Sequence, residues 1–186
     1  LDGYLKFLSE KQTAVQESGF DVDDSDLSPQ LFPFQKYCVK RALKVGRFAM
    51  FEDCGLGKTY QQLEWAQQVV NHINKPVLIL APLGVIGQTI KEGVHFGYKV
   101  TEIALTTFDQ DLAAGIYITN YDNMDNIDAY LFGGVVLDES SILKNFAGKT
   151  RTALIEDFKN TPYKLCCTAT PSPNDTTELC NHAEFL

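Results

Sequence analysis

Two glycines, a lysine and a threonine at positions 55, 57, 58 and 59, and a pair of acids at 138 and 139, have types and spacings that could do chemistry. The stretch "FEDCGLGKTYQQLEW" (51–65) sets Gly55 and Gly57 before Lys58 and Thr59. Glycines let a backbone approach an anion and aim N–H groups at it, and a helix beginning near Lys58 adds the positive end of its dipole. Lys58 would reach the outer phosphates of a nucleoside triphosphate, with the Thr59 hydroxyl on a magnesium ion. The general form of such a loop is G-x-x-x-x-G-K-[ST], and here Glu52 occupies the first glycine position. The plainer alternative is a strand-to-helix turn that precedes a surface lysine.

The acid pair ends the apolar run "GGVVLDE" (133–139). Carboxylates at the end of a buried strand are costly unless they bind a cation or do chemistry. Asp138 suits magnesium held through water, and Glu139 suits the base that orients and deprotonates an attacking water. The alternative is a helix start enriched in acids. A third candidate is "LFPFQK" (31–36). The Gln35 amide could read adenine while a ring covers the base. From these residues alone, Phe32 and Phe34 in the core and Gln35 on a helix surface is the better reading.

Something must position these groups, and the chain supplies it. "FQKYCVKRALKVG" reads as a helix, with Tyr37, Val39, Ala42 and Leu43 apolar and Gly46 as the stop. Short apolar runs follow at 47–53, 76–82, 114–120, 133–139 and 163–170, with a weaker sixth, "VTEIALTT", at 100–107. Near-continuous apolar runs suit strands covered on both faces, and their alternation with helical stretches predicts a doubly wound α/β fold with a parallel sheet. One such stretch, "KTYQQLEWAQQVVNHIN", puts Leu63, Ala66, Val69, Val70 and Ile73 on one helical face. Each strong run ends in residues a buried strand does not need: Glu52-Asp53, Ala81-Pro82, Thr119-Asn120-Tyr121, Asp138-Glu139 and Thr168-Ala169-Thr170. In an open parallel sheet ligands bind beyond the carboxyl ends of the strands, so these five ends are expected along one edge.

The bulk properties narrow the classes. The 186 residues fit one compact domain, and the 45% hydrophobic fraction supports a real core. A net charge of −8 argues against holding nucleic acid by bulk electrostatics alone, though not against a local basic path. No apolar stretch is long enough to span a bilayer, and "LDGYLKFLSEKQ" is not a signal peptide, so no membrane partner is expected. The five cysteines contain no Cys-x-x-Cys pair, which speaks against a disulfide framework or a zinc site and for a reducing cytoplasm. Cys54, inside the glycine loop, reads as a small filler. Residues 1–15 look like a short helix, and 16–30, with five acids, like a solvated linker. The chain begins without methionine and stops in "NHAEFL", itself helical in pattern, so a truncated chain is expected.

Taken in order, Gln35, "EDCGLGKT", "APLGVIGQ", "ITNYDNM", "LDESSILKN" and "CTATPSPN" resemble the first motor domain of superfamily-two helicases. They look most like the SWI/SNF-type DNA translocases and their bacterial and phage relatives. Members of that branch carry an acidic pair before GLGKT, which accounts for Glu52, and a Lys-Asn after the Asp-Glu box, here Lys144-Asn145. The resemblance covers about residues 31–175. It implies a RecA-like P-loop NTPase domain over 31–186, with a central parallel sheet, helices on both faces and a short helical N-terminal extension over 1–30.

The resemblance further implies an ATP-dependent DNA helicase or translocase, bacterial or phage-encoded, that hydrolyses ATP with Mg2+. Its cofactor-binding residues would be Gln35, Gly55, Leu56, Gly57, Lys58, Thr59 and Tyr60. Thr59 and Asp138 would hold the metal, and Glu139, Lys58 and Asp138 would carry the catalysis. Thr168 and Thr170 match the motif that couples nucleotide state to grip. Pro82, Gln88, Thr119 and Asn120 match segments that track nucleic acid, with DNA preferred to RNA. A second RecA-like domain would supply an arginine finger, worth several orders of magnitude in rate. A P-loop kinase and a non-hydrolysing interaction module remain as alternatives. The sequence departs from the family at its Asp-Glu-Ser-Ser box, where Ser141 lacks the charge or ring of many relatives, and at Thr89, where relatives have tryptophan.

Overall fold

The computed structural model of the chain describes residues 17–103, 112–144 and 148–186. The expected helix at 1–15, part of the weak sixth run at 100–107, and Asn145 lie outside them. Six strands form one sheet: β1 (Arg47–Phe51), β2 (Val77–Ala81), β3 (Val100–Glu102), β4 (Ile116–Asn120), β5 (Gly134–Asp138) and β6 (Tyr163–Thr168). Their spatial order is β1-β6-β5-β2-β4-β3, and every neighbouring pair is parallel. Parallel neighbours need crossovers. The crossing helices include α2 (Lys58–Ile73), α3 (Ile86–Phe96) and α4 (Lys149–Asp157), while α1 (Pro33–Val45) precedes the sheet and α5 (Leu179–Phe185) follows it. This is the α/β parallel sheet that the alternating runs predict and the RecA-like architecture that the resemblance implies.

The apolar runs are continuous because both sheet faces are buried. Ile79, Val136, Leu165 and Cys167 point into one core with Leu43, Leu63, Trp65 and Val69. Their chain neighbours Leu78, Leu80, Val135, Leu137 and Cys166 point into a second core with Leu154, Phe158 and Phe185. A polar residue at any of these positions would leave an unpaired group in one core or the other.

Two expectations need correction. In α1 the buried stripe is Gln35, Val39, Ala42 and Leu43, while Tyr37 is 71% exposed. Gln35 lies one helical turn before Val39 and so shares its face, whereas Tyr37 lies two residues away on the far side. The expected solvated linker is only half so. Asp21, Asp23 and Asp24 are exposed, but Ser18, Gly19 and Phe20 donate backbone hydrogen bonds to the carbonyls of Val45, Lys44 and Leu43. Leu27 and Leu31 are buried, and Phe20 stacks on His72 at 3.8 Å. The segment docks along α1 and α2 with its charges outward.

Candidate active site

The glycine loop leaves β1 and enters α2. Glu52 N–H donates to the Thr168 carbonyl at 3.2 Å, so the β1–β6 pairing continues into the loop. Gly55 and Gly57 have φ of 82° and 77°, the left-handed region that costs an L side chain about 1–2 kcal/mol. At Gly57 a Cβ would also sit 2.5 Å from Gln35 Nε2. Lys58 Nζ donates to the carbonyls of Glu52 and Asp53, both at 2.9 Å, which curls the loop over the start of α2.

Amides brace this loop from beneath. Gln35 Oε1 accepts from Phe32 N–H, and Gln35 Nε2 donates to the Leu56 carbonyl, each at 2.9 Å. Gln61 Nε2 donates to Glu52 Oε2 at 2.6 Å and to the same Leu56 carbonyl at 3.3 Å. Glu52, at the first glycine position, is thus an acceptor under the loop. It faces Cys38, whose thiol is pushed up to about 11, first by burial and then by the Glu52 charge.

The surroundings of Gln35 reverse the plainer reading of "LFPFQK". Gln35 is 4% exposed, while Phe32 and Phe34 are 64% and 44% exposed. The two phenylalanine rings lie nearly parallel with centroids 6.4 Å apart, at the border of a cleft of about 820 Å³. Gln35, Gly55, Leu56, Gly57 and Tyr60 line it, opposite Gln88 and Phe96 of α3. Tyr60 stacks on Phe96 at 3.8 Å and gives the cleft a flat aromatic wall. The Gln35 amide keeps one N–H and one lone pair beyond its two internal bonds, a donor and an acceptor side by side.

The acid pair meets the loop at the sheet edge. Asp138 Oδ1 accepts from Gln62 Nε2 of α2 at 2.8 Å. Burial raises the Asp138 pKa above its ordinary value; the Gln62 bond and the Lys58 charge pull the other way, and Glu139 adds to the rise. Glu139 is one of two non-glycine residues with positive φ among those described, at 53°. The other, Asn74, caps the end of α2, where that conformation is common. Strain of this kind costs of order 1–3 kcal/mol and collects at functional sites. Glu139 Oε2 accepts from Thr168 Oγ1 at 3.3 Å, and Thr168 Oγ1 accepts from Thr170 N–H at 3.0 Å. The ends of β5 and β6 are therefore joined through side chains, and the Glu52–Thr168 backbone bond ties the end of β1 to them.

A second cleft, of about 480 Å³, opens beyond β2, β4 and β5. Pro82, Asn120, Glu139, Ser141 and Lys144 line it. Of the four residues expected to track nucleic acid, Pro82 and Asn120 border this cleft. Gln88 lies in the first cleft and donates to Glu92 Oε1 at 2.8 Å. Thr119 is 1% exposed, and its hydroxyl donates to the Ile103 carbonyl at 3.3 Å and accepts from Asn123 Nδ2 at 3.0 Å. It shapes the turn after β4 and is not available to a ligand.

Sequence reasoning missed Gln61, Gln62 and His182. The two glutamines sit three and four residues after Lys58, one helical turn along, where a buried helix would otherwise be apolar. That mismatch was the available signal. His182 offered none, because its partner Ser140 lies 42 residues away.

The SNF2-related domain family matches residues 36–186. A curated relative, putative protein p41 of Acyrthosiphon pisum secondary endosymbiont phage 1, is 27% identical over 179 residues, covering 83% of this chain and 38% of its own length. A Xenopus tropicalis protein, named a SWI/SNF-related matrix-associated actin-dependent regulator of chromatin subfamily A-like protein 1, is 27% identical over 189 residues, covering 91% of this chain and 19% of its own length. The chain thus spans well under half the length of either. Among solved structures, the Sulfolobus solfataricus SWI2/SNF2 ATPase core in complex with dsDNA superposes with a TM-score of 0.73 at 22% identity, over 89% of this chain and 37% of that one, and shares its fold.

Proposed function

Since the chain belongs to the SNF2-related domain family, as a RecA-like superfamily-two domain, we propose that it is the ATP-binding half of an ATP-dependent DNA translocase or helicase. The convergence of Lys58, Asp138, Glu139 and Thr168 at one sheet edge, beside a cleft with an aromatic wall and the Gln35 amide, carries this reading. The base would lie in the first cleft against Gln35, Tyr60 and the Phe32–Phe34 pair. The phosphates would take the Gly55–Gly57 backbone and the ammonium of Lys58, which exchanges loop carbonyls for phosphate oxygens.

Magnesium fits the donor set. Asp138 is a desolvated carboxylate with one oxygen bonded to Gln62, so a cation would offset its burial. An ion held mainly by phosphates and water would need from the protein only Asp138 and the Thr59 hydroxyl. Held by Asp138 and Thr59, such an ion would supply neutralisation of triphosphate charge. Glu139 takes a proton from water as the water oxygen bonds to the γ-phosphorus. The bond from that phosphorus to the β–γ bridging oxygen breaks, releasing ADP and phosphate.

Pro82 and Asn120 border the second cleft and would hold nucleic-acid backbone there, DNA before RNA, next to Glu139. A second RecA-like domain of the natural chain would complete the site. Residues 1–186 alone would bind nucleotide and hydrolyse it weakly. A kinase would need free cations for the transferred phosphate. Arg47 instead donates to the Leu186 and Thr161 carbonyls, and Arg151 is bonded to Asn181 and Glu184.

The test is a calorimetric titration of magnesium-ATP into this domain, with Lys58→Ala as control. One-site binding that the variant loses supports the reading. Binding that Lys58→Ala leaves intact sinks it.

A further inference from the structure

The helix α5 and the turn that follows Glu139 are gripped together by adjacent residues. Ser140 Oγ lies 3.1 Å from His182 Nε2, with Ser140 0% and His182 2% exposed. Four residues on, the Lys144 carbonyl accepts from Asn181 Nδ2 at 3.2 Å. Both ends of the 140–144 turn are thus tied to one point on α5. That point is itself fixed, because Arg151 Nε donates to Asn181 Oδ1 at 3.0 Å and the Arg151 guanidinium pairs with Glu184. The imidazole also meets Phe51 edge to face at 5.2 Å. His182 therefore touches the residue after Glu139 and the residue before Glu52, the two points where the chain leaves the sheet to do chemistry.

We propose that α5 clamps the catalytic carboxylate: His182, bonded to Ser140, is a positioning residue that holds Glu139 in its left-handed conformation and so aims its carboxylate. The inference rests on the hydrolysis reading above. A glutamate at φ 53° relaxes toward extended or right-handed backbone unless its neighbours hold it. Two contacts oppose that relaxation. The Ile142 N–H donates to the Glu139 carbonyl at 3.2 Å and closes the turn, and the Ser140–His182 bond pins the next residue. An apolar residue at 182 would fill the space and leave the Ser140 hydroxyl buried without a partner. The bond, more than the volume, is what the position supplies.

The test compares His182→Leu, His182→Gln and Ser140→Ala in the full natural chain. It reads amide exchange at Ile142, magnesium-ATP affinity, and single-turnover hydrolysis. His182→Leu is expected to speed Ile142 exchange and slow hydrolysis by about tenfold each, because small misplacements of a reacting group are costly. Affinity should stay within about twofold, since the cradle does not include α5. His182→Gln, whose amide can still bond Ser140, should recover most of both losses. Ser140→Ala should match His182→Leu, and the double variant should be no worse than either, as for one shared interaction. Ser140→Ala removes one buried oxygen, so it reads the clamp even if His182→Leu does not fold. Unchanged exchange in Ser140→Ala and His182→Leu overturns the clamp, as does a loss of rate matched by an equal loss of affinity. A wild type that binds no more ATP than Lys58→Ala overturns the nucleotide reading instead, and Ile142 exchange still decides whether His182 holds Glu139.

Discussion

The two clefts at the carboxyl edge of the sheet are built by different means. The glycine loop of the first is braced by contacts close in sequence, Lys58 to Glu52 six residues away, Gln61 to Glu52 nine away and Gln35 to Leu56 twenty-one away, while its aromatic wall is tied across 32 residues by the Ser28–Tyr60 bond. The second, around Glu139, is held from a distance: Gln62 to Asp138 across 76 residues, Ser140 to His182 across 42, Asn181 to Lys144 across 37. The first uses glycines, amides, the Lys58 ammonium and the Glu52 carboxylate to keep a backbone open and still. The second holds a charged residue in a conformation it would not choose. Holding a ligand can be encoded locally, whereas aiming a reactive group at it draws on the whole fold.

The largest expected effect separates the two. Glu139→Gln keeps the shape of the side chain and removes the base. Single-turnover hydrolysis by the full natural chain should fall by roughly 10²–10⁴, the range of general base catalysis, with magnesium-ATP affinity kept. Loss of affinity in parallel would mean that Glu139 belongs to the cradle, and the contrast would fail. On the other side, Gly57→Ala adds a methyl at φ 77° and 2.5 Å from Gln35 Nε2. The strain of about 1–2 kcal/mol should weaken nucleotide binding by about tenfold. Exchange at Ile142 should not change, and a change there would show that loop and turn move as one.

This division also explains what could be read in the sequence. The loop, the acid pair and the strands were legible because each is a short pattern with a local cause. Glycines precede a helix, acids end an apolar strand, and runs without alternation mark a sheet covered on both faces. Gln35 was misplaced by residue type alone, because an amide on a helix is usually outside. Only its spacing from Val39 puts it on the buried face, which Tyr37, apolar but two residues from Val39, does not share. The acids at 21, 23 and 24 are exposed, whereas hydrogen bonds from the backbone of Ser18, Gly19 and Phe20 leave no trace in side-chain type. Thr119 was placed by its motif, and its burial follows from a turn whose partner, Asn123, no pattern marked. His182 was invisible for the same reason as the second cleft is complex: its meaning lies in a residue far along the chain.

A smaller effect sharpens the contrast through pH. Burial holds the Asp138 pKa above its ordinary value, so the fold penalises the charged form. The folded protein takes up this proton before the unfolded chain does, and stability from this site falls as pH rises through that interval. Asp138→Asn still accepts from Gln62 and carries no charge. Its Tm should exceed that of the wild type at neutral pH, and the gap should close as pH falls below the carboxylate range. In the same variant, magnesium-dependent nucleotide binding should be weakened. A Tm gap independent of pH would show that the charge is not what the fold resists, and that Asp138 is held as comfortably as the residues of the cradle.

The smallest effect concerns the wall of the first cleft. Glu64 is 2% exposed, and its carboxylate accepts from Ser28 N–H at 3.0 Å, Gln68 Nε2 at 2.8 Å and Tyr98 O–H at 2.5 Å. Burial, with Glu64 beside it, holds the Tyr98 phenol far above its ordinary value, so that hydroxyl stays a donor. The Ser28 hydroxyl in turn bonds the Tyr60 hydroxyl, and Tyr60 is the ring that walls the cleft. The same segment also carries the exposed pair Asp24–Lys40 at 2.6 Å, which touches nothing in the cleft. Ser28→Ala removes the neutral hydrogen bond to Tyr60 next to the wall and a long one accepted from Gln30 N–H at 3.4 Å. It should cost about 1 kcal/mol of stability and no more than about threefold in nucleotide affinity, with the hydrolysis step untouched. Asp24→Asn should change neither, since exposed pairs in physiological salt contribute little. Equal losses of affinity in the two variants would mean that the acidic segment acts on the cleft by its charge. The local bracing of the first cleft would then extend to long-range electrostatics, and its difference from the second would be one of degree.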